Sequence, residues 1–316
     1  MGRIATLLFS FTLAASAQHV IVFGVDGLSV EGVNRSHTPR LHAWMRESAW
    51  TLEARGVMPT LSSPNWASMI DGAGPEQHGI TSNGYLKPMV EFEPVCRDEA
   101  GMFPTIFQVL HHERPTAGAA VFHDWAGFAN LVERSAVDVM QHEHGPVKTV
   151  EAALRYWREK QPALMFLHLD NVDHAGHSYG WLSREYQREV EEADRLLGLL
   201  LDAVHEGPGG DSTYVLLTSD HGGKGRNHGK NSLEEILIPW ILGGPNVTPG
   251  HIATPVYTFD TAATIAMILG VAPNACWIGR PVMAAFQPGA VPDRVITSPA
   301  AALGGPFAAH SGDHRN

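Results

Sequence analysis

Cysteine is nearly absent from this chain: its 316 residues include two, Cys96 and Cys276. A disulfide framework is therefore excluded. Two bonded cysteines and two half-buried thiols are both compatible with the sequence. Basic side chains are also scarce, 22 Lys and Arg against 33 Asp and Glu, for a formal net charge of −11. A long nucleic acid is held by neutralising its phosphates, so this charge balance argues against nucleic-acid polymers as partners. It leaves room for a small anionic ester, because bound cations can supply positive charge locally. Long apolar runs are missing as well, and no segment reads as transmembrane. The short run Ile4 to Ala14 follows Arg3 and precedes Ala15-Ser16-Ala17. That is the layout of a secretory signal (residues 1–17) cleaved after Ala17, which predicts an exported, periplasmic or secreted protein.

The rest of the chain is apolar runs alternating with amphipathic segments. Strands are expected over His19 to Val25, Gly118 to Phe122, Ala163 to Leu169, Tyr214 to Thr218 and Ile236 to Leu242. Helices are expected over His37 to Ala49, Pro64 to Ile70, Phe103 to His112, Val147 to Lys160, Ser183 to His205 and Phe259 to Leu269. Strands separated by helices of this length predict an α/β fold, a mostly parallel central sheet with helices on both faces. Residues 18–316 read as one catalytic domain, with 83–102 as a small insertion and a partly ordered tail from about residue 287.

Histidine is abundant, at 18 residues, and three histidines matter most because of what stands beside them. In Thr218-Ser219-Asp220-His221-Gly222-Gly223 a carboxylate and an imidazole leave a strand at its carboxyl edge, where open α/β sheets place ligands. His228 follows a short loop later. A second strand end carries Asp26-Gly27, and a third carries Asp173 and His177, four residues apart. Gly176 favours a loop over a regular helix there. Pooled, Asp26, Asp173, His177, Asp220, His221 and His228 are enough oxygen and nitrogen ligands for two zinc-type sites. Such sites commonly need a nucleophile. In Thr60-Leu61-Ser62-Ser63-Pro64-Asn65-Trp66, Pro64 suits a first helical position and puts Ser62 or Ser63 at a helix N-terminus. Ser63 reads as the helix cap. Trp66, Tyr85 and Trp125 read equally as pocket walls or core, and His78 as structural.

These blocks together resemble the type I phosphodiesterase/nucleotide pyrophosphatase family of the alkaline phosphatase superfamily. Val25-Asp26-Gly27, Ser62-Ser63-Pro64-Asn65, Asp173 to His177 and Ser219-Asp220-His221-Gly222 match it, as does the turn Gly74 to Ile80. The resemblance implies an alkaline-phosphatase-like three-layer sandwich. It implies that Asp26, Asp220 and His221 hold one Zn2+ that activates the nucleophile Ser62. Asp173, His177 and a further histidine would hold a second, with His228 fitting better than His251. Mn2+ or Fe could replace zinc. Asn65 and the helix N-terminus would hold a non-bridging phosphate oxygen. The implied activity is hydrolysis of phosphodiester or pyrophosphate bonds in a small, nucleotide-like substrate through a phosphoseryl intermediate. Serine stands where the family has threonine, and the chain is shorter than typical members. Rival readings are a phosphomonoesterase or phosphotransferase on the same fold, a sulfatase, and a non-catalytic zinc-binding module. The sulfatase motif requires an arginine where this chain has Trp66.

Overall fold

In a computed structural model, residues 18–87 and 89–289 are described; the expected signal segment and the chain from 290 lie outside the described residues. The strands are β1 (His19–Val25), β2 (Ala49–Arg55), β3 (Ala119–His123), β4 (Val139–His142), β5 (Leu164–Leu169), β6 (Thr213–Thr218), β7 (Leu237–Gly243) and β8 (Gly250–His251). The helices are α1 (Val30–Arg35), α2 (Pro39–Met45), α3 (Ser62–Asp71), α4 (Pro75–His78), α5 (Ile106–Glu113), α6 (Pro146–Lys160), α7 (Asn171–Tyr179), α8 (Arg184–Glu206), α9 (Leu233–Ile236) and α10 (Asp260–Leu269).

The strands form one sheet in the order β4-β3-β5-β1-β6-β7-β2-β8. β1 is buried at every position because both its faces are covered. Val20 and Val22 point into a core shared with Trp66 and Ile70 of α3, Phe107 of α5 and Ile265 of α10. Ile21, Phe23 and Val25 point into the opposite core, with Leu41 of α2, Trp157 of α6 and Leu196 of α8. Three layers result, and the fold is the expected mostly parallel α/β sandwich.

Local differences from the expectation have physical causes. The helix expected over His37 to Ala49 ends at Met45, where Ser48 Oγ donates back to Trp44 O at 2.8 Å and the chain turns into β2. β7 runs antiparallel to both β6 and β2, because no crossover helix separates β6 from β7 on a sheet face. The loop expected around Gly176 is helix α7. A Cβ on Gly176 would lie 2.8 Å from the Trp181 ring, so this glycine serves packing rather than chain reversal. Between α4 and α5, the stretch 83–102 forms turns and one isolated bridge, Leu86 to Met89. A disulfide joins Cys96 there to Cys276, with Cα atoms 6.3 Å apart.

Candidate active site

Four neighbouring parallel strands, β3, β5, β1 and β6, end at the same edge of the sheet. Just past them stand Asp124, Asp170, Asp26 and Asp220. Helix α7 follows β5 at once and presents Asp173 and His177 one turn apart, with His177 Nε2 3.4 Å from Asp173 Oδ2. The loop after β6 brings His221, and a few residues on His228, whose Nε2 lies 3.0 Å from His177 Nε2 and 3.6 Å from Asp173 Oδ1. His221 Nε2 lies 3.1 Å from Asp220 Oδ2 and 3.5 Å from Asp26 Oδ1. All six residues singled out from the sequence are thus brought together. His251, the alternative to His228, stands exposed on β8 against Trp50, at the far edge of the sheet.

The three imidazoles share one arrangement. His177 Nδ1 bonds to Arg226 O at 2.9 Å, His221 Nδ1 to Gly222 O at 2.8 Å and His228 Nδ1 to Thr60 O at 2.7 Å. A carbonyl oxygen only accepts, so each Nδ1 carries the proton and each Nε2 turns a lone pair into the cluster. Two such lone pairs 3.0 Å apart, on His177 and His228, repel unless a proton or a metal ion lies between them. The carboxylates show the same deficit: Asp26 Oδ1, Asp173 Oδ1 and Asp220 Oδ2 are buried without a hydrogen-bond partner. Ligand atoms of Asp26, Asp220 and His221 lie within 4.8 Å of one another, as do those of Asp173, His221 and His228. His221 therefore stands within reach of both groups. Mixed carboxylate and imidazole donors of this kind fit a zinc-type ion.

Charge follows the same logic. Burial, then the neighbouring Asp26 and Asp170, push Asp173 up to about 9, and burial with Asp26 drives Asp220 well above the usual carboxylate range. Burial, then His228, depresses His221 to about 3, so its ring is neutral and free to ligate. Asp26 is the exception. Burial raises its pKa, but the hydrogen bond from His168, the charge of His168 and the hydrogen bond from Trp66 outweigh that and keep it ionised. His168 in turn is penalised by burial yet held protonated, up to about 10, by Asp124 and Asp26. The centre is thus a set of buried carboxyl groups short of positive charge, which bound divalent ions would supply.

Ser62 is the first residue of α3, and its Oγ lies 3.3 Å from His221 Nε2. Ser63 is not the cap: the N-cap position is Leu61, and Ser63 N instead donates to Asn83 Oδ1 at 2.8 Å. Asn65 does not face the site. It is fully buried, with Oδ1 accepting from Val57 N at 2.6 Å and Nδ2 donating to Leu61 O at 2.9 Å and Pro59 O at 3.1 Å. Its amide is spent on shaping the turn before Ser62. The amide beside the nucleophile belongs to exposed Asn83, whose Nδ2 is 3.5 Å from Ser62 Oγ. Trp66 is core, fully buried, and its Nε1 donates to Asp26 Oδ2 at 2.9 Å. Asn83, Asp124, His168 and Asp170 are the site residues that sequence reasoning missed. A polar residue in or just after an apolar strand is the signal that could have found the last three.

A family model described as type I phosphodiesterase/nucleotide pyrophosphatase matches residues 20–239. Mouse ectonucleotide pyrophosphatase/phosphodiesterase family member 1 is 25% identical over 219 residues, covering 64% of this chain and 24% of its own length. GPI ethanolamine phosphate transferase 1 of Gibberella zeae is 25% identical over 271 residues, covering 76% of this chain and 27% of that protein. The chain thus spans about a quarter of the length of these curated relatives. Among solved structures, murine ectonucleotide pyrophosphatase/phosphodiesterase 5 in complex with AMP superposes with a TM-score of 0.67 at 14% identity, covering 81% of this chain and 96% of that one. At that identity the likeness establishes the fold. Because the family match takes in well over half of the sequence and all the strand ends that build the cluster, the chain belongs to the type I phosphodiesterase/nucleotide pyrophosphatase family.

Proposed function

We propose that the chain is an exported two-metal phosphodiesterase that cleaves phosphodiester or pyrophosphate bonds of small, nucleotide-like substrates through a phosphoseryl intermediate on Ser62. The observation that carries this reading is Ser62 Oγ, at the N-terminus of α3, 3.3 Å from an imidazole nitrogen of the Asp–His cluster. Asp26, Asp220 and His221 would hold one zinc together with Ser62; Asp173, His177 and His228 would hold the other. Mn2+ or Fe could occupy the same donors. Bound ions supply the positive charge that lets a serine ionise near neutrality and that offsets charge on the departing oxygen.

The chain's own groups do the remaining work. Ser62 Oγ bonds to phosphorus as the leaving oxygen departs from the opposite side, and water then breaks the Oγ–P bond and restores the hydroxyl. Asn83 Nδ2 and the N-terminus of α3 donate to a non-bridging oxygen, the part earlier expected of Asn65. The AMP bound by the murine relative supports a nucleotide-like substrate. The Cys96–Cys276 bond and the signal-like start support export, since disulfides persist in oxidising compartments.

Metal content by mass spectrometry, paired with bis-p-nitrophenyl phosphate hydrolysis, tests the reading. About two zincs per chain, with turnover lost on chelation, is the expected result. One calcium or no metal, with no turnover, refutes it. A phosphotransferase is the second reading, favoured by the match to the Gibberella zeae transferase over more of this chain than the mouse relative covers. An added alcohol acceptor that captures the phosphoryl group in place of water would select it.

A further inference from the structure

His168 is out of place by composition: it is a fully buried imidazole in the otherwise apolar strand Leu164–Leu169. The sheet explains its surroundings. β5 lies between β3 and β1, and the register sets His168 beside His123 on one side and Gly24 on the other. Asp124 and Asp26, each just past its strand, therefore flank the imidazole. Nε2 stands 3.1 Å from Asp26 Oδ2, and Nδ1 stands 3.6 Å from Asp124 Oδ1. Asp124 is itself fixed, because its Oδ1 accepts from Asp170 N at 2.7 Å.

Asp26 Oδ2 is held a second time, by Trp66 Nε1 at 2.9 Å. The indole fits only because residue 24 is glycine: a Cβ there would lie 2.7 Å from the Trp66 ring. With Oδ2 engaged twice, Oδ1 is the oxygen left over. It is buried, lacks a hydrogen-bond partner and faces His221 Nε2 at 3.5 Å.

We propose that His168, anchored by Asp124, is a positioning residue that fixes Asp26 so that one oxygen, Oδ1, is offered to the ion. The inference rests on the two-metal reading above. His168 does not touch substrate; it acts through Asp26. A carboxylate without this clamp can rotate and exchange its two oxygens, and ordering it again on metal binding costs affinity. The competing account makes His168 a space-filler among the rings of Trp66, Phe128 and Trp125, whose centroids lie 5.0, 4.9 and 5.8 Å away.

Three variants separate the two accounts. His168→Phe keeps the bulk and removes both the hydrogen bond to Asp26 and the charge contact with Asp124; His168→Gln keeps a donor directed at Asp26; Asp124→Asn weakens the anchor. The measurements are zinc affinity by competition with a chromophoric chelator, and kcat and KM on bis-p-nitrophenyl phosphate at saturating zinc. His168→Phe should lose roughly 10–100-fold in affinity at one of the two zincs. Its kcat at saturating zinc should fall by a smaller factor than the affinity does, since the clamp positions a ligand rather than the substrate. His168→Gln should recover most of the affinity, and Asp124→Asn should lose it at the same zinc by a smaller factor. Unchanged affinity in His168→Phe overturns the proposal, as does a glutamine variant no tighter than the phenylalanine one. Should His168→Phe fail to fold, unchanged affinity in Asp124→Asn overturns it instead. An unaltered chain that binds no zinc is a different result: it refutes the two-metal reading and removes the basis of this one.

Discussion

Ser62 and Asn83 set up the sharpest single-residue tests. Ser62→Ala should lower turnover of bis-p-nitrophenyl phosphate by at least about 10³-fold, since an enzyme without its nucleophile keeps only residual catalysis. Zinc content by mass spectrometry should be unchanged, because three protein ligands per ion remain. Asn83→Ala should lower kcat by about 10²–10³-fold, the usual effect of losing one donor to a developing oxyanion. Asn65→Ala should behave differently. Its side chain fastens the turn over Val57, Pro59 and Leu61, so its loss leaves several buried groups unpaired, at roughly 1–3 kcal/mol each. A fall in melting temperature, out of proportion to any change in kcat measured below it, is the expected outcome. The Asp–His cluster was legible in sequence because carboxylates and imidazoles recur together at three strand ends. Asn83 was not, since a lone exposed asparagine in a glycine-rich turn carries no mark of its nearness to Ser62. Asn65 was misread for another reason: the resemblance placed it in the motif that carries the nucleophile, while the helix turned its amide away.

Among elements, the stretch 83–102 between α4 and α5 deserves a test of its own, because it begins at Asn83. Besides its disulfide, it is attached to the core through a buried acidic group. Glu133, Asp98 and Asp71 each carry an oxygen that is buried and unpartnered, and Thr105 Oγ1 donates to Glu133 Oε2 at 2.8 Å. Burial, then the neighbouring Asp98 carboxyl, pushes Glu133 from its ordinary 4.5 up to about 8. The folded chain therefore keeps a proton that the unfolded chain has released, and stability from this group falls as pH rises from about 4.5 to about 8. The melting temperature should decline across that window, and Glu133→Gln, which cannot ionise, should flatten the decline. An equal slope in both proteins would show that Glu133 is not the source. The elements themselves were largely legible from periodicity, with revealing exceptions. β2 was hidden because α2 feeds straight into it through Ser48, without a glycine or proline to mark the change. The direction of β7 was hidden because an apolar strand reads the same either way.

The described residues form one sheet between two helical layers, and a single covalent cross-link, on one face of the sheet, ties segments far apart in sequence. That link could not be read from sequence, since two distant cysteines carry no record of pairing. It joins residues 180 apart. Closing a loop of that length restricts the unfolded chain by about 5 kcal/mol on the loop-entropy account. Cys96→Ser should therefore lower the unfolding free energy by up to that amount in chemical denaturation, and Cys276→Ser by the same. A loss confined to one variant would locate the effect in local packing instead. The cross-link also lies apart, in sequence, from the candidate site. Every candidate metal ligand, from Asp26 to His228, precedes Cys276 in the chain. Reduction of that one bond would therefore loosen the segment behind Asn83 while leaving every candidate ligand covalently unchanged.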